Sequence, residues 1–277
     1  RVCGFHSHSH LAEPRASAMS ARAATGNLYE ELYARHNYHG FSRFTTGTTV
    51  ARVVTQDLKR FATNHGVLDV GCSHGRLVQL MWVGGVKASG VDVSATAIKS
   101  ARKRLSHRDR TCAPDNNANA CFQAAPATAL PFADRTFDGI VSSDMLEHLL
   151  PSEVALAVSE FSRVARRFLL LQIATAPEKN KDPVERLRAS SKEFADVTTL
   201  HTTLMSPREW TAAFTARGWR ETGAWSTTDQ KWLLLLLTRP NDEVGHVRPK
   251  LSGSLRFGPF ANSSWARLDS PLSKSDG

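Results

Sequence analysis

The sequence predicts an α/β protein: a doubly wound, mostly parallel seven-stranded sheet ending in an antiparallel hairpin. Three observations predict it. Short apolar runs alternate with amphipathic stretches of helical period, the pattern of a parallel sheet with helices on both faces. "VLDVGCSHGRL", Val67 to Leu77, passes from an apolar strand through a glycine turn into a new helical pattern. "GWRETGAWSTTDQKWLLLLLTRP", Gly218 to Pro240, holds two strands with too little chain between them for a crossover helix, so they pair antiparallel.

Residues 1–26, rich in Ser, Ala, His and Arg, read as a disordered or targeting extension and stand outside the fold. His6, His8 and His10 alternate there, a weak metal signal. The folded domain is expected over 27–240. Helices are expected at 27–36 and 48–62, the second with Val50, Val53 or Val54, Leu58 and Phe61 on one stripe. Strands follow near 66–71, 88–93, 120–124, 137–142, 167–174, 219–225 and 231–238. Helices fall between them near 75–83, 95–106, 151–166 and 207–217, and Val154, Val158, Phe161 and Val164 form the buried stripe of the third. Residues 108–119 read as a loop. Residues 177–200 read as a polar, lid-like loop insertion, and 241–277 as an irregular tail.

The chain has 277 residues, 41% of them hydrophobic, which suits a sizeable core and argues against global disorder. Its longest apolar run, Trp232 to Leu237, is far shorter than the roughly 20 residues of a membrane span, so a soluble protein is expected. The four cysteines, Cys3, Cys72, Cys112 and Cys121, form no C-x-x-C pair or zinc spacing. Free thiols in a reducing compartment are the simplest reading, which places the protein in the cytoplasm; organellar targeting by the first residues is the alternative. A net charge of +9 favours acidic partners, but the basic residues are dispersed and read as solvated helix faces.

Asp69-Val70-Gly71-Cys72-Ser73-His74-Gly75 lies where doubly wound sheets bind ligands, beyond the carboxyl end of a strand. Glycine lets a chain approach a ligand closely. The dinucleotide pattern G-x-G-x-x-G fails, because Ser73 and Arg76 hold its second and third glycine positions; no G-K-[ST] follows for a P-loop.

"DVGCSHG" instead resembles motif I of the class I S-adenosylmethionine-dependent methyltransferases, with Ser73 at the middle glycine. "GVDVS", Gly90 to Ser94, is similar to that family's second motif, and "ATALPFADRTFDGIVSSDMLEHL", Ala127 to Leu149, to its later ones. The resemblance covers about residues 60–240. It implies S-adenosylmethionine as cofactor, held by Asp69, Gly71, Ser73, Gly75, Asp92, Val93, Ala127 and Ser143. Asp92 would accept from the ribose hydroxyls and Val93 would flank adenine. Pro126 stands where the family often places an acid on the adenine amino group, so one side-chain hydrogen bond is missing.

The resemblance implies methyl transfer to an O, N or S atom of a small molecule. Two rivals are an RNA 2′-O-methyltransferase and a non-catalytic S-adenosylmethionine-binding protein. Asp144, Glu147 and His148, with the distant His201, are the candidate catalytic residues. Their arrangement is similar to the E-x-x-E-H plus distant His with which ubiquinone-pathway and small-RNA methyltransferases hold a metal, Asp144 replacing the first Glu. The same four are therefore candidate ligands for a divalent metal, against metal-free acid–base or pocket-shaping roles. Tyr29, Tyr33, Tyr38 and Phe41 form a candidate aromatic lid over the acceptor. The oligomeric state is open.

Overall fold

The computed structural model describes residues 26–36, 38, 47–105, 112, 121–178, 180–227, 229–249 and 251, and the backbone of 265–267. Of the extension expected at 1–26, residues 1–25 lie outside the described residues, as does Phe41, while Gly26 is helical.

Eight strands form one sheet in the order β3-β2-β1-β4-β5-β7-β6-β8. They are β1 (Val67–Val70), β2 (Ala88–Asp92), β3 (Phe122–Ala124), β4 (Phe137–Ser143), β5 (Ala165–Ala174), β6 (Arg220–Thr227), β7 (Trp232–Thr238) and β8 (Trp265–Arg267). The first five pair in parallel. β7 runs antiparallel between β5 and β6, as the hairpin sequence requires. The seven expected strands are present; β8 adds an eighth beside β6, within the segment expected to be irregular. That segment also holds a short helical turn, Glu243–His246.

The chain winds outward from β1 to β3 and returns to β4 on the other side of β1. This switch point opens a crevice beyond the carboxyl ends of β1 and β4.

The described helices are α1 (26–35), α2 (Thr48–Arg52), α3 (Arg76–Val83), α4 (Ala95–Arg104), α5 (Pro151–Val164), α6 (Asp182–Ser190) and α7 (Pro207–Thr215); α2, α3 and α4 pack on one face of the sheet, α5 and α7 on the other, and α1 and α6 meet in a third apolar cluster. Strand alternation divides the core. On β7, Leu234 and Leu236 pack with Val50, Val54, Leu58, Val78 and Met81, whereas Leu233, Leu235 and Leu237 pack with Val158, Phe161, Trp210 and Phe214. The aliphatic run is thus one strand buried on both faces.

The single helix expected over 48–62 is three pieces. After α2 the chain widens into a π turn at Val53–Asp57 and then a tight turn at Lys59–Phe61. Leu58 N–H reaches back to Val53 O at 3.0 Å, and Val50, Val53, Val54, Leu58 and Phe61 all stay buried.

The insertion at 177–200 is a correction to the sequence reading. It contains α6 and a helical turn at Lys192–Phe194. Val184, Leu187 and Phe194 pack with Leu32, Tyr33 and Tyr38. Three apolar residues spread over eleven positions were too sparse a pattern to separate from a loop. The cysteine reading is also corrected in part: Cys112 and Cys121 are disulfide-bonded with Cα atoms 5.1 Å apart, and Cys72 is free and buried. The bridge removes support from the reducing-compartment argument. Among the described residues, no helix is long and apolar enough to cross a membrane.

Candidate active site

The glycine turn after β1 carries three left-handed residues, Gly71 (φ +83°), Ser73 (φ +50°) and Gly75 (φ +78°). A side chain at Gly71 would meet Met145 Cγ at 2.5 Å, and one at Gly75 would meet the Phe122 ring at 2.8 Å. These two positions need glycine both for backbone angle and for space. Ser73 takes the left-handed angle too, so it fills the middle position at the cost of some strain.

Asp92 ends β2 and is 6% exposed. Its carboxylate accepts from Ser73 N at 2.8 Å and Ser94 N at 3.0 Å, which ties the glycine turn to the second strand. Burial pushes its pKa up to about 6, against the two backbone hydrogen bonds. Asp69, within β1, is buried and also shifted upward, by burial and then by the charge of Asp92. Burial and the same neighbours raise the Cys72 thiol, so it is not a poised nucleophile.

The crevice is lined by Gly71, Asp92 and Val93 on one side, by Ala125 to Thr128 beyond β3, and by Asp144, Met145 and His148 beyond β4. Of the eight expected cofactor residues, Gly71, Asp92, Val93 and Ala127 line it. Asp69, Ser73, Gly75 and Ser143 do not; they lie in the strand ends and the turn that support it. Pro126 lines it as well, in the position expected of an acid. The nearby Thr128 Oγ1 is buried and without a hydrogen-bond partner. From α1 and the turn after it, Gly26, Tyr29, Tyr33 and Tyr38 complete the wall. Tyr29, Tyr33 and Tyr38 of the aromatic residues read as a lid thus line the crevice, Tyr29 lying edge-on to His148 at 5.8 Å between ring centroids.

Asp144, Glu147, His148 and His201 converge, offering one ligand atom each within 4.8 Å of one another. Asp144 sits just past β4 with φ +62°, and Leu146–His148 is one helical turn. His201 arrives from beyond the insertion, because Thr203 N–H donates to Glu147 O at 3.0 Å and the Thr202 and Thr203 hydroxyls donate to Leu149 O.

Each imidazole is oriented by a backbone carbonyl: His148 Nδ1 lies 2.9 Å from Leu200 O, and His201 Nδ1 lies 3.0 Å from Ala176 O. A carbonyl only accepts, so each Nδ1 carries a proton and each ring turns its Nε2 edge the other way. His148 Nε2 is 4.0 Å from Asp144 Oδ1. Glu147 is fully buried; one oxygen accepts from Ala174 N at 2.8 Å and the other has no hydrogen-bond partner. Burial and then the Asp144 charge push the Glu147 carboxyl well up. Two imidazoles and two carboxyl groups, one of them with an oxygen that has no hydrogen-bond partner, suit a divalent ion or a shared proton.

A second cavity of about 250 Å³ opens on the far side of this cluster. It shares Tyr38, Asp144 and His148 with the crevice and adds Glu178, Asn180, His201, Lys231 and Trp232. Glu178, Lys231 and Trp232 carried no signal in the sequence; the insertion and the start of β7 meet only in the fold.

Strand order and crevice define a Rossmann-like domain with an open cleft at its switch point. Residues 67–167 match the family model described as a methyltransferase domain. The chain is 32% identical over 126 residues to the O-methyltransferase resE of Aspergillus sclerotiorum, covering 45% of this chain and 44% of that protein. It is 28% identical over 116 residues to the O-methyltransferase cnsE of Penicillium expansum, covering 41% and 40%. The chain thus spans less than half the length of either relative. In fold it is similar to magnesium protoporphyrin IX methyltransferase of Synechocystis PCC 6803, solved with bound S-adenosylhomocysteine. The TM-score is 0.55 at 15% identity, covering 78% of this chain and 100% of the other.

Proposed function

We propose that the protein transfers a methyl group from S-adenosylmethionine to a hydroxyl oxygen of a small-molecule acceptor. One observation carries this reading: the crevice and the second cavity share Asp144, His148 and Tyr38, so a donor and an acceptor chamber meet at an acid–histidine cluster. The relatives' names, O-methyltransferases, favour oxygen as the acceptor atom.

The cofactor supplies a sulfonium-activated methyl group. Asp92 would accept from the ribose hydroxyls, Val93 and Ala127 would flank adenine, and Gly71 would let the backbone approach. The aromatic wall of Tyr29, Tyr33 and Tyr38 excludes water, as a displacement between aligned partners requires. In the transfer, the acceptor oxygen forms a bond to the methyl carbon as the carbon–sulfur bond breaks. The hydroxyl proton would leave to the acid–histidine cluster, where His148 Nε2 lies 4.0 Å from Asp144 Oδ1. A divalent ion held by Asp144, Glu147, His148 and His201 would lower the pKa of the hydroxyl.

The test is turnover with a labelled methyl donor on small-metabolite and RNA fractions from cell extract, with and without a chelator. Label in a small molecule as an alkali-stable methyl ether is expected. Label in RNA alone would replace the acceptor class, and cofactor binding without transfer would leave a binding protein. Loss of activity with the chelator, restored by a divalent ion, would assign the cluster as a metal site.

A further inference from the structure

Helix α1 contributes Gly26, Tyr29 and Tyr33 to the wall of the cofactor crevice, yet it belongs to neither face of the sheet. It is held from two sides. Leu32 and Tyr33 pack on Val184, Leu187 and Phe194 of the insertion. On the other side Glu30 reaches the first turn of α4. One carboxylate oxygen accepts from Ser94 Oγ at 2.7 Å and from Thr96 N at 3.2 Å, and the other accepts from Thr96 Oγ1.

Ser94 is no ordinary anchor. Its backbone N–H donates to Asp92 Oδ1 at 3.0 Å, and its hydroxyl accepts from Ala97 N at 3.1 Å, capping α4. The Glu30 carboxylate therefore binds the same turn that aims Asp92. At Gly26, a side chain would touch Val93 Cγ2, so α1 runs directly beside the expected nucleoside position. Burial alone would raise the Glu30 pKa. The hydrogen bonds from Thr96 and Ser94 outweigh it and hold the carboxyl below its ordinary value, so it is ionised at neutral pH.

We infer that Glu30 is a positioning residue that latches α1 over the nucleoside end of the crevice and so slows cofactor release. The inference rests on the proposed cofactor. For a ligand of that size to leave past α1, the helix must lift. The apolar contact with the insertion survives a small tilt, whereas the Glu30 hydrogen bonds are directional and must break. The latch acts on dissociation more than on encounter, since it forms after the ligand is seated.

The experiment measures S-adenosylhomocysteine dissociation from the full chain by stopped flow, together with hydrogen exchange over residues 26–36 and the melting temperature. Glu30→Ala is expected to raise the dissociation rate about tenfold, the loss of hydrogen bonds to a charged acceptor. Thr96→Val, which removes a donor from the other side, is expected to raise it severalfold, and Glu30→Gln, which keeps an acceptor oxygen, less than Glu30→Ala. Exchange over 26–36 should rise in the same order. If Glu30→Ala does not fold, Thr96→Val decides. Folded variants that release the ligand at the wild-type rate, whatever their melting temperature, would overturn the latch while leaving the cofactor reading intact. A wild-type protein that does not bind S-adenosylhomocysteine would overturn the cofactor reading, and the latch with it.

Discussion

Replacing Asp92 by asparagine separates the burial of a charge from its use. Both carboxylate oxygens already accept a backbone N–H, at 2.8 and 3.0 Å, and the group is 6% exposed. Its pKa is raised from 3.8 to about 6; at 1.36 kcal/mol per unit, keeping it ionised at neutral pH costs about 3 kcal/mol of folding free energy. Asp92→Asn would remove that cost but turn an amide group toward Ser73 N or Ser94 N, a donor facing a donor, at about 1–3 kcal/mol. The two effects oppose, so the ligand-free protein should melt within a few degrees of wild type. Binding has no such compensation. With the ribose placed as proposed, its hydroxyls would lose a charged acceptor, and S-adenosylhomocysteine should bind at least tenfold more weakly, about 1.4 kcal/mol; Asp92→Ala should lose as much.

The sign of the pH effect follows from the same shift. Folded Asp92 holds its proton to higher pH than the unfolded chain does. Its penalty on stability therefore sets in as pH rises from about 3.8 to about 6 and stays constant above. Ribose binding needs the carboxylate, so wild-type affinity should fall as pH drops through about 6, and the asparagine variant should lack that dependence. Calorimetric titration from pH 5 to 8, beside thermal melts, checks both. A folded variant with wild-type affinity, or a wild-type affinity flat across pH 6, would refute the placement of the ribose at Asp92.

Other outcomes are expected. Gly71→Ala forces a side chain against Met145 at a left-handed angle and should destabilise the fold by about 2 kcal/mol or more, visible as a lowered denaturation midpoint. Ser73→Gly removes strain but adds unfolded-chain entropy; the two nearly cancel, within about 1 kcal/mol by the same denaturation assay. His148→Ala and His201→Ala should each cut turnover about 100-fold or more while S-adenosylhomocysteine affinity, measured by titration, stays within about threefold. Wild-type turnover in both would remove the histidines from the mechanism and leave Tyr33 and Tyr38 as the acceptor-positioning residues.

Much of the molecule was legible in the chain because its signals are local. Strand and helix periods, the two indispensable glycines of the turn, Asp92 at a strand end and the D-x-x-E-H run past β4 are short-range patterns, each dictated by backbone geometry or by neighbouring side chains. Even the seven-strand plan follows from the alternation, since parallel strands demand crossovers and the final pair has no room for one. By itself, then, the sequence determined seven of the eight described strands, the switch point and the identities of the chemical groups around it, but not β8.

Which groups meet was decided by the tertiary structure. Glu30 and Ser94 are 64 residues apart, and no pattern links them until α1 lies against α4. Glu178 and Trp232 border one cavity only because β7 inserts beside β5. The fold also directed which expected residues face the ligand: Asp92 lines the crevice, while Asp69 stays buried in β1. The insertion became a helix because Leu32, Tyr33 and Tyr38 offered its few apolar side chains a surface. The physical reason is common to all: burial and hydrogen bonding between distant segments depend on strand order and helix placement, which emerge only when the whole core packs at once.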